Sequence, residues 1–312
     1  MSRGNFVQKF STIFPKFCAK CQLYKPRLVW YNTNIENKGT DNKKKIKKVV
    51  DKSSKICYNK YIKKERNKKK KEMKKIENKH HNGWIDHRIS YKIVFDTETC
   101  PLDRGLTEVS PWNMFTYDFG FAVVDKRGNV YEAFSFVNAD IFCNEKELMK
   151  SAYYASKVPM YWEDIKAGRR TLTSFYNIWK IFNEVIAKYD VTEIYAHNAR
   201  FDYGTLQNTQ RWLTKSKYRY FFNPNIKICD TLKMAKDVVG KMPTYIRFCQ
   251  DNGYATKTGK PRFTAEVLYR FISGDNEFTE AHTGLEDVMI EKEIMAYCYR
   301  QHKKMRKLLW ED

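Results

Sequence analysis

Apolar and polar positions divide this chain into two unlike parts. From Trp84 onward, short apolar runs alternate with polar breaks, as in an ordinary folded domain. The first run, YKIVFDTET (91–99), is β-branched and aromatic up to a polar end and predicts a strand. FTYDFGFAVVDK (115–126) and NVYEAFSFVN (129–138) predict two more, with Lys126-Arg127-Gly128-Asn129 as the hairpin turn between them. Residues 140–190 read as helical, most clearly the amphipathic SFYNIWKIFNEVIAKY at 174–189. EIYAH (193–197) predicts a strand running into a helix from Asn198. IKICD (226–230) predicts a strand before the helix TLKMAKDVV, and a long helix follows Thr283. This β-β-β-α-β-α-β-α order implies an α/β fold, a mixed sheet with helices packed on it.

Before Trp84 the pattern fails. Residues 1–57 mix aromatics with three cysteines and form a small basic module. Residues 58–83 are nearly pure charge with no apolar stripe wide enough to pack, and read as a lysine-rich helix or linker. Residues 84–312 are the main domain. Charge sharpens the division: residues 1–90 hold 26 Lys and Arg against 7 Asp and Glu, most of the whole chain's formal +22. A local excess of that size favours a polyanion, because neutralising phosphates releases condensed counterions. A solvated charge run is the blander reading. The lysines Lys43, Lys44, Lys45, Lys68, Lys69, Lys70 and Lys71 are the candidate phosphate contacts, with Tyr58 and Tyr61 beside them for stacking.

The 8 cysteines are irregularly spaced in a long, lysine-rich chain, unlike a secreted disulfide framework. No apolar run nears the roughly 20 residues a bilayer crossing needs, and the start has no signal-peptide core. The expected setting is a reducing cytoplasm, with no membrane partner.

Three constellations carry candidate chemistry. Asp96 and Glu98 stand two apart in the first strand and so point to one face. Two carboxylates held together are unfavourable without a cation, although two solvated acids at a strand end would look the same. In YAHNARFD, Asn198 is a helix-starting residue and Asp202 follows in the first turn, sharing a face with Leu206, Thr209 and Leu213. An acid near a helix N-terminus is favourable without any catalytic role. In AHTGLED, Thr283 and Glu286 have the spacing of a capping box. That spacing leaves His282 on the preceding loop and places Asp287 at the head of an apolar stripe with Ile290, Ile294, Tyr297 and Cys298. An acid there is costly unless paired or metal-bound.

Taken in order, D-x-E on the first strand, N-x-x-F-D at a strand-to-helix junction and H-x-x-x-x-D on the last helix resemble the DEDDh exonucleases, which have the ribonuclease-H-like fold. The resemblance covers roughly 88–312. Cys229-Asp230-Thr231-Leu232 is similar to the family's strand before a helix, with Asp230 as an N-cap. The stretch from Tyr245 through Phe263 to Tyr269 is most similar to stand-alone phage-type members, which would place the protein in a host cytoplasm.

The resemblance implies that Asp96, Glu98, Asp202 and Asp287 bind two Mg²⁺ or Mn²⁺ ions and that His282 is the general base. It also implies that Thr97, Asn198 and Phe201 lie along the nucleic acid. The implied activity is 3′-to-5′ release of nucleoside monophosphates, from DNA (single-stranded or at 3′ ends) sooner than RNA. A ribonuclease of the same fold and a non-catalytic nucleic-acid-binding protein on this scaffold remain the alternatives. YAHNARFDYGTL also resembles the second motif of the tyrosine-type exonucleases of protein-primed polymerases. Here, however, the third motif supplies His282, and the chain ends soon after it. The expectation is therefore an exonuclease without a synthetic domain, acting alone or beside a separate polymerase.

Cys18-Ala19-Lys20-Cys21 reads as half of a zinc knuckle with Cys57 as a third thiolate, and Ser54 through Tyr61 is similar to the second half of treble-clef or zinc-ribbon modules. Those modules have a cysteine where Ser54 stands. A structural zinc takes four ligands, so Zn²⁺ here needs His80 or His81, and a degenerate, metal-free module is the other reading. Trp112 is a candidate for stacking on a terminal base, whereas Phe115 and Tyr117 read as core. Lys257, Lys260 and Arg262 form a basic loop before a helix from Thr264.

Overall fold

The computed structural model describes residues 85–103 and 108–311. The candidate zinc thiolates Cys18, Cys21 and Cys57, lysines 43–45 and 68–71, and the boundaries at 57 and 83 lie outside the described residues.

Strands β1 (Lys92–Pro101), β2 (Met114–Val124) and β3 (Val130–Asn138) form an antiparallel meander. The β2–β3 turn works as its sequence implies. Gly128 takes φ 84, and the Asp125 carboxylate accepts from the amides of Arg127 and Asn129. A short β4 (Thr171–Thr173) adds parallel to the outer edge of β3. On the other side of β1, β5 (Glu193–Ala196) and β6 (Lys227–Asp230) add parallel in turn. The resulting order, β4-β3-β2-β1-β5-β6, is the ribonuclease-H-like mixed sheet with one extra edge strand.

The helices among the described residues are α1 (Ala139–Phe142), α2 (Lys146–Met149), α3 (Val158–Ala167), α4 (Phe175–Lys188), α5 (Ala199–Thr214), α6 (Thr231–Val238), α7 (Pro243–Asp251), α8 (Ala265–Ser273) and α9 (Gly284–Arg300). They cover both faces. Ile93 and Phe95 of β1 and Phe119 and Phe121 of β2 pack with Phe182 of α4 and Leu206 of α5 on one side. Val94, Ala122 and Val124 pack with Met234 of α6 and Val288 and Ile294 of α9 on the other. Burial on both faces is why β1 reads as a continuous apolar run, not an alternating one.

The fold differs from the pattern-based expectation in three places. The 140–190 region is not all helix, for β4 lies within it. Three residues, Thr-Leu-Thr, are too few to show a period, and only pairing with Phe136–Asn138 makes them a strand. Asn198 stands at the N-cap of α5, but in the left-handed region (φ 63) and without a side-chain cap. Its amide instead donates to Asp230 Oδ1 at 3.0 Å. Thr283 and Glu286 do not form a capping box. The Thr283 hydroxyl donates to Glu286 Oε2 at 2.7 Å, while Gly284 N donates to Asp118 Oδ2 at 2.9 Å. A buried carboxylate on the sheet has taken over the capping role.

Asp230 does cap α6, accepting from Leu232 N at 2.9 Å. Phe115 and Tyr117 are fully buried. The cysteines 100, 143, 229, 249 and 298 are all free thiols. Among the described residues no helix is long and apolar enough to cross a membrane.

Candidate active site

The site begins with β1. Asp96 pairs across to Gly120 and Glu98 to Asp118, and the ladder slips between Glu98 and Thr99. Residues opposite each other share a face, so Asp96, Glu98 and Asp118 point the same way, beside a position with no side chain. The bulge ends the regular ladder just past the two acids.

α9 brings a further acid, Asp287, to the two of β1. Oxygens of Asp96, Glu98 and Asp287 all lie within 4.8 Å of one another. Backbone amides aim Asp287, since His282 N donates to Oδ1 at 3.2 Å and Thr283 N to Oδ2 at 2.9 Å. Asp202 enters from the first turn of α5, buried, with the Thr97 hydroxyl donating to its Oδ1 at 2.7 Å. Thr97 sits between Asp96 and Glu98 but points to the opposite face. Its side chain is buried against Asp202 and is not presented to a ligand.

Burial and mutual repulsion act on all four acids. Burial, then the charges of Asp202, Glu291, Asp287 and Glu98, push Asp96 well above the usual carboxylate range. Burial, then Asp118 and Asp287, push Glu98 up to about 9, with Lys157 opposing. Burial raises Asp202 to about 7 against the Thr97 hydrogen bond. Burial and Glu280 raise Asp287 to about 8. Buried acids gathered this closely hold protons unless a cation joins them. An all-oxygen donor set of this kind fits hard divalent ions.

His282 stands on the loop just before α9, with φ 49. It forms a second group with Glu280 and Asp287, whose ligand atoms also lie within 4.8 Å of one another. Burial and then the neighbouring Lys157 ammonium lower the imidazole's basicity. Asn198 is exposed and Phe201 half-buried at the start of α5. Trp112 is 47% exposed, on a 3-10 turn whose Pro111 presses against Gly204 of the same helix. Lys257, Lys260 and Arg262 are exposed on a turn closed by Thr256 N to Lys260 O at 2.7 Å.

No protein-family model matches this chain, and no curated protein matches its sequence. Among solved structures it is similar to E. coli exonuclease I in complex with a dT13 oligonucleotide. That match has 15% identity and a TM-score of 0.42, over 68% of this chain and 42% of the other. It is also similar to a 3′-exonuclease that recognises the histone mRNA stem-loop (11%, TM-score 0.41, 78% of this chain and 75% of that one). S. pombe Pop2p in its Mg²⁺ and Mn²⁺ bound form is a third (13%, TM-score 0.39, 67% and 82%). The match thus spans less than half of the exonuclease I chain. Strand order and connection, not these distant likenesses, define the fold.

Several groups at the site carry no motif. Glu291, one turn beyond Asp287, is buried and accepts from His197 N at 3.2 Å. Burial, then Asp202 and Asp287, raise it well above its usual range. The i, i+4 spacing from Asp287 was a usable signal, masked by the helix's many charges. Arg170, almost wholly buried, donates to Asp164 Oδ2 (2.9 Å), Ser135 Oγ (3.0 Å), Glu286 Oε2 (2.8 Å) and Asp118 Oδ2 (3.4 Å). Tyr161 OH donates to that same Asp118 oxygen at 2.6 Å. This network ties the first turn of α9 to β2, β3 and the end of α3. Only tertiary contact reveals it.

Proposed function

We propose that this chain is a metal-dependent 3′-to-5′ exonuclease that releases nucleoside monophosphates from single-stranded nucleic acid. One observation carries the reading: acids from the first strand and the last helix converge within 4.8 Å, with Asp202 beside them and an imidazole at the rim. Asp96, Glu98, Asp202 and Asp287 would hold a pair of Mg²⁺ or Mn²⁺ ions. When bound, such a pair generates the nucleophile and stabilises the attacking and leaving oxygens of an in-line phosphodiester displacement.

The chain's own groups divide the remaining work. His282, whose affinity for a proton is lowered by burial and then by Lys157, accepts the proton of the attacking water. Thr97 holds Asp202 in place, and the amides of His282 and Thr283 aim Asp287. Asn198 and Phe201 at the start of α5, and Trp112 on the 3-10 turn packed on that helix, are the groups assigned to contact the nucleic acid. The basic segment before residue 84 supplies affinity without reading sequence.

The test is incubation of the full chain with 3′-labelled and 5′-labelled single-stranded DNA and RNA, with Mg²⁺ or with EDTA. Immediate mononucleotide release from the 3′ label, stopped by EDTA, is the expected result, and the two polymers separate a deoxyribonuclease from a ribonuclease. Internal fragments, or release from the 5′ end first, would overturn the polarity. Full activity in EDTA would overturn the metal dependence.

A further inference from the structure

His282 is held in an unusual way. Its backbone lies at φ 49, a region non-glycine residues keep only when their surroundings impose it. Among the described residues its ring makes no hydrogen bond, and the nearest carboxylate oxygen, Glu280 Oε2, is 3.9 Å from Nδ1. A histidine acting as a base is normally oriented by a hydrogen bond at its other nitrogen. Here something else must set the ring.

The turn before α3 supplies it. Tyr154 lays its ring on the imidazole, with centroids 4.8 Å apart and planes 15° from parallel. Three residues on, Lys157 donates from Nζ to the carbonyl oxygens of Ala281 (2.5 Å) and His282 (3.0 Å). Two successive carbonyls turned toward one point repel unless a cation stands between them, and the ammonium stands there. The same ammonium lies over the Tyr154 ring at 4.3 Å, a cation–π contact that couples the two holding groups.

We propose that Tyr154 and Lys157 are positioning residues for His282: Lys157 fixes the strained backbone of the loop, and Tyr154 fixes the plane of the imidazole by stacking. The proposal rests on the reading of His282 as the base. It assigns a role in turnover, with substrate binding unaffected, to a segment far from every motif.

The test is steady-state kinetics of the full chain on single-stranded DNA for Tyr154→Ala, Tyr154→Phe, Lys157→Met, His282→Ala and the double variant Tyr154→Ala/His282→Ala. Tyr154→Ala and Lys157→Met should each lower kcat by about 10- to 100-fold with little change in KM, the scale of a misplaced catalytic group. Tyr154→Phe keeps the ring and should restore kcat. In the His282→Ala background, Tyr154→Ala should cost nothing further.

An independent readout is NMR of the histidine ring protons, His282 being assigned by its loss in His282→Ala. Ring current from Tyr154 should hold those signals upfield in the parent and in Tyr154→Phe, and Tyr154→Ala should release them. Unmoved signals, or losses that multiply in the double variant, would overturn the clamp alone. Full turnover by His282→Ala would instead remove the base reading itself.

Discussion

Gly120 and Gly284 meet backbone to backbone: a Cβ on Gly120 would lie 2.2 Å from the carbonyl carbon of Gly284, and one on Gly284 would lie 2.7 Å from Gly120 N. Gly120 is the cross-strand partner of Asp96. The missing side chain therefore lets the first turn of α9 descend beside the two β1 acids, which brings Asp287 within reach of them. A site built from the first strand and the last helix depends on this close approach.

Gly120→Ala should accordingly move α9. Neither neighbour is a flexible side chain, so the cost should be about 1–3 kcal/mol, as for overpacking. Turnover should fall about 100-fold, the effect of a displacement near 1 Å. Denaturant unfolding and kinetics on single-stranded DNA check the pair. Parent-like turnover would show that the approach of α9 is irrelevant to the chemistry.

Asp96→Ala and Asp202→Ala should each abolish hydrolysis. If the lysine-rich segment supplies the affinity as proposed, binding to single-stranded DNA, measured by fluorescence anisotropy, should persist with a steep salt dependence. Residual turnover near the parent level in either variant would remove that acid from the site.

In EDTA the protein should lose stability as pH rises. The raised acids bind protons more tightly in the folded state than in the unfolded chain, so the native state holds more protons and stability falls with pH. Their contribution is complete below the ordinary carboxylate range. It is lost as pH climbs through about 7, 8 and 9 for Asp202, Asp287 and Glu98. Mn²⁺ should raise Tm more at pH 8.5 than at pH 6, because it competes with those protons. Equal Tm increments at both values would contradict the shared cation site.

Glu291→Gln should keep the acceptor for His197 N while removing an acid that folding forces to keep its proton well above the usual carboxylate range, so the metal-free protein should unfold at higher denaturant at pH 8. Glu291→Leu leaves that amide unpaired at a cost of about 1–3 kcal/mol. Equal stability of the two variants would show that the hydrogen bond contributes nothing.

Arg170→Met should destabilise the fold by about 3–5 kcal/mol, since it strands partners in a buried ion network. The Arg170 side chain is 3% exposed, with Asp118 at 0% and Asp164 at 12%. A change below about 1 kcal/mol in urea unfolding would mean that the first turn of α9 is held by other contacts.

Much of this protein was legible along the chain. The runs around Ile93–Phe95, Phe119–Val124 and Ile194–Ala196 are buried on both faces, and such strands announce themselves by composition. D-x-E in a strand can point only one way, because the pleat has a period of two. The two acids on helices were legible because each lies in a first turn and heads one face of its helix, Asp202 with Leu206 and Leu213, Asp287 with Ile290 and Ile294. β4 was not, because three residues carry no period. Nor was the loss of the expected capping box, because the Asp118 carboxylate that replaced it lies 166 residues from Gly284.

By itself, the order of residues determined the strand and helix types, the acids on them and the contrast between a basic leading segment and a balanced domain. Each is a property of neighbours a few residues apart, where backbone period and local charge act. The tertiary structure alone decided that Asp96 and Asp287 share one space, that Glu291 joins them, and that Tyr154 and Lys157 hold the His282 loop. Those are meetings of distant segments, set by which faces bury together and by one missing side chain at Gly120.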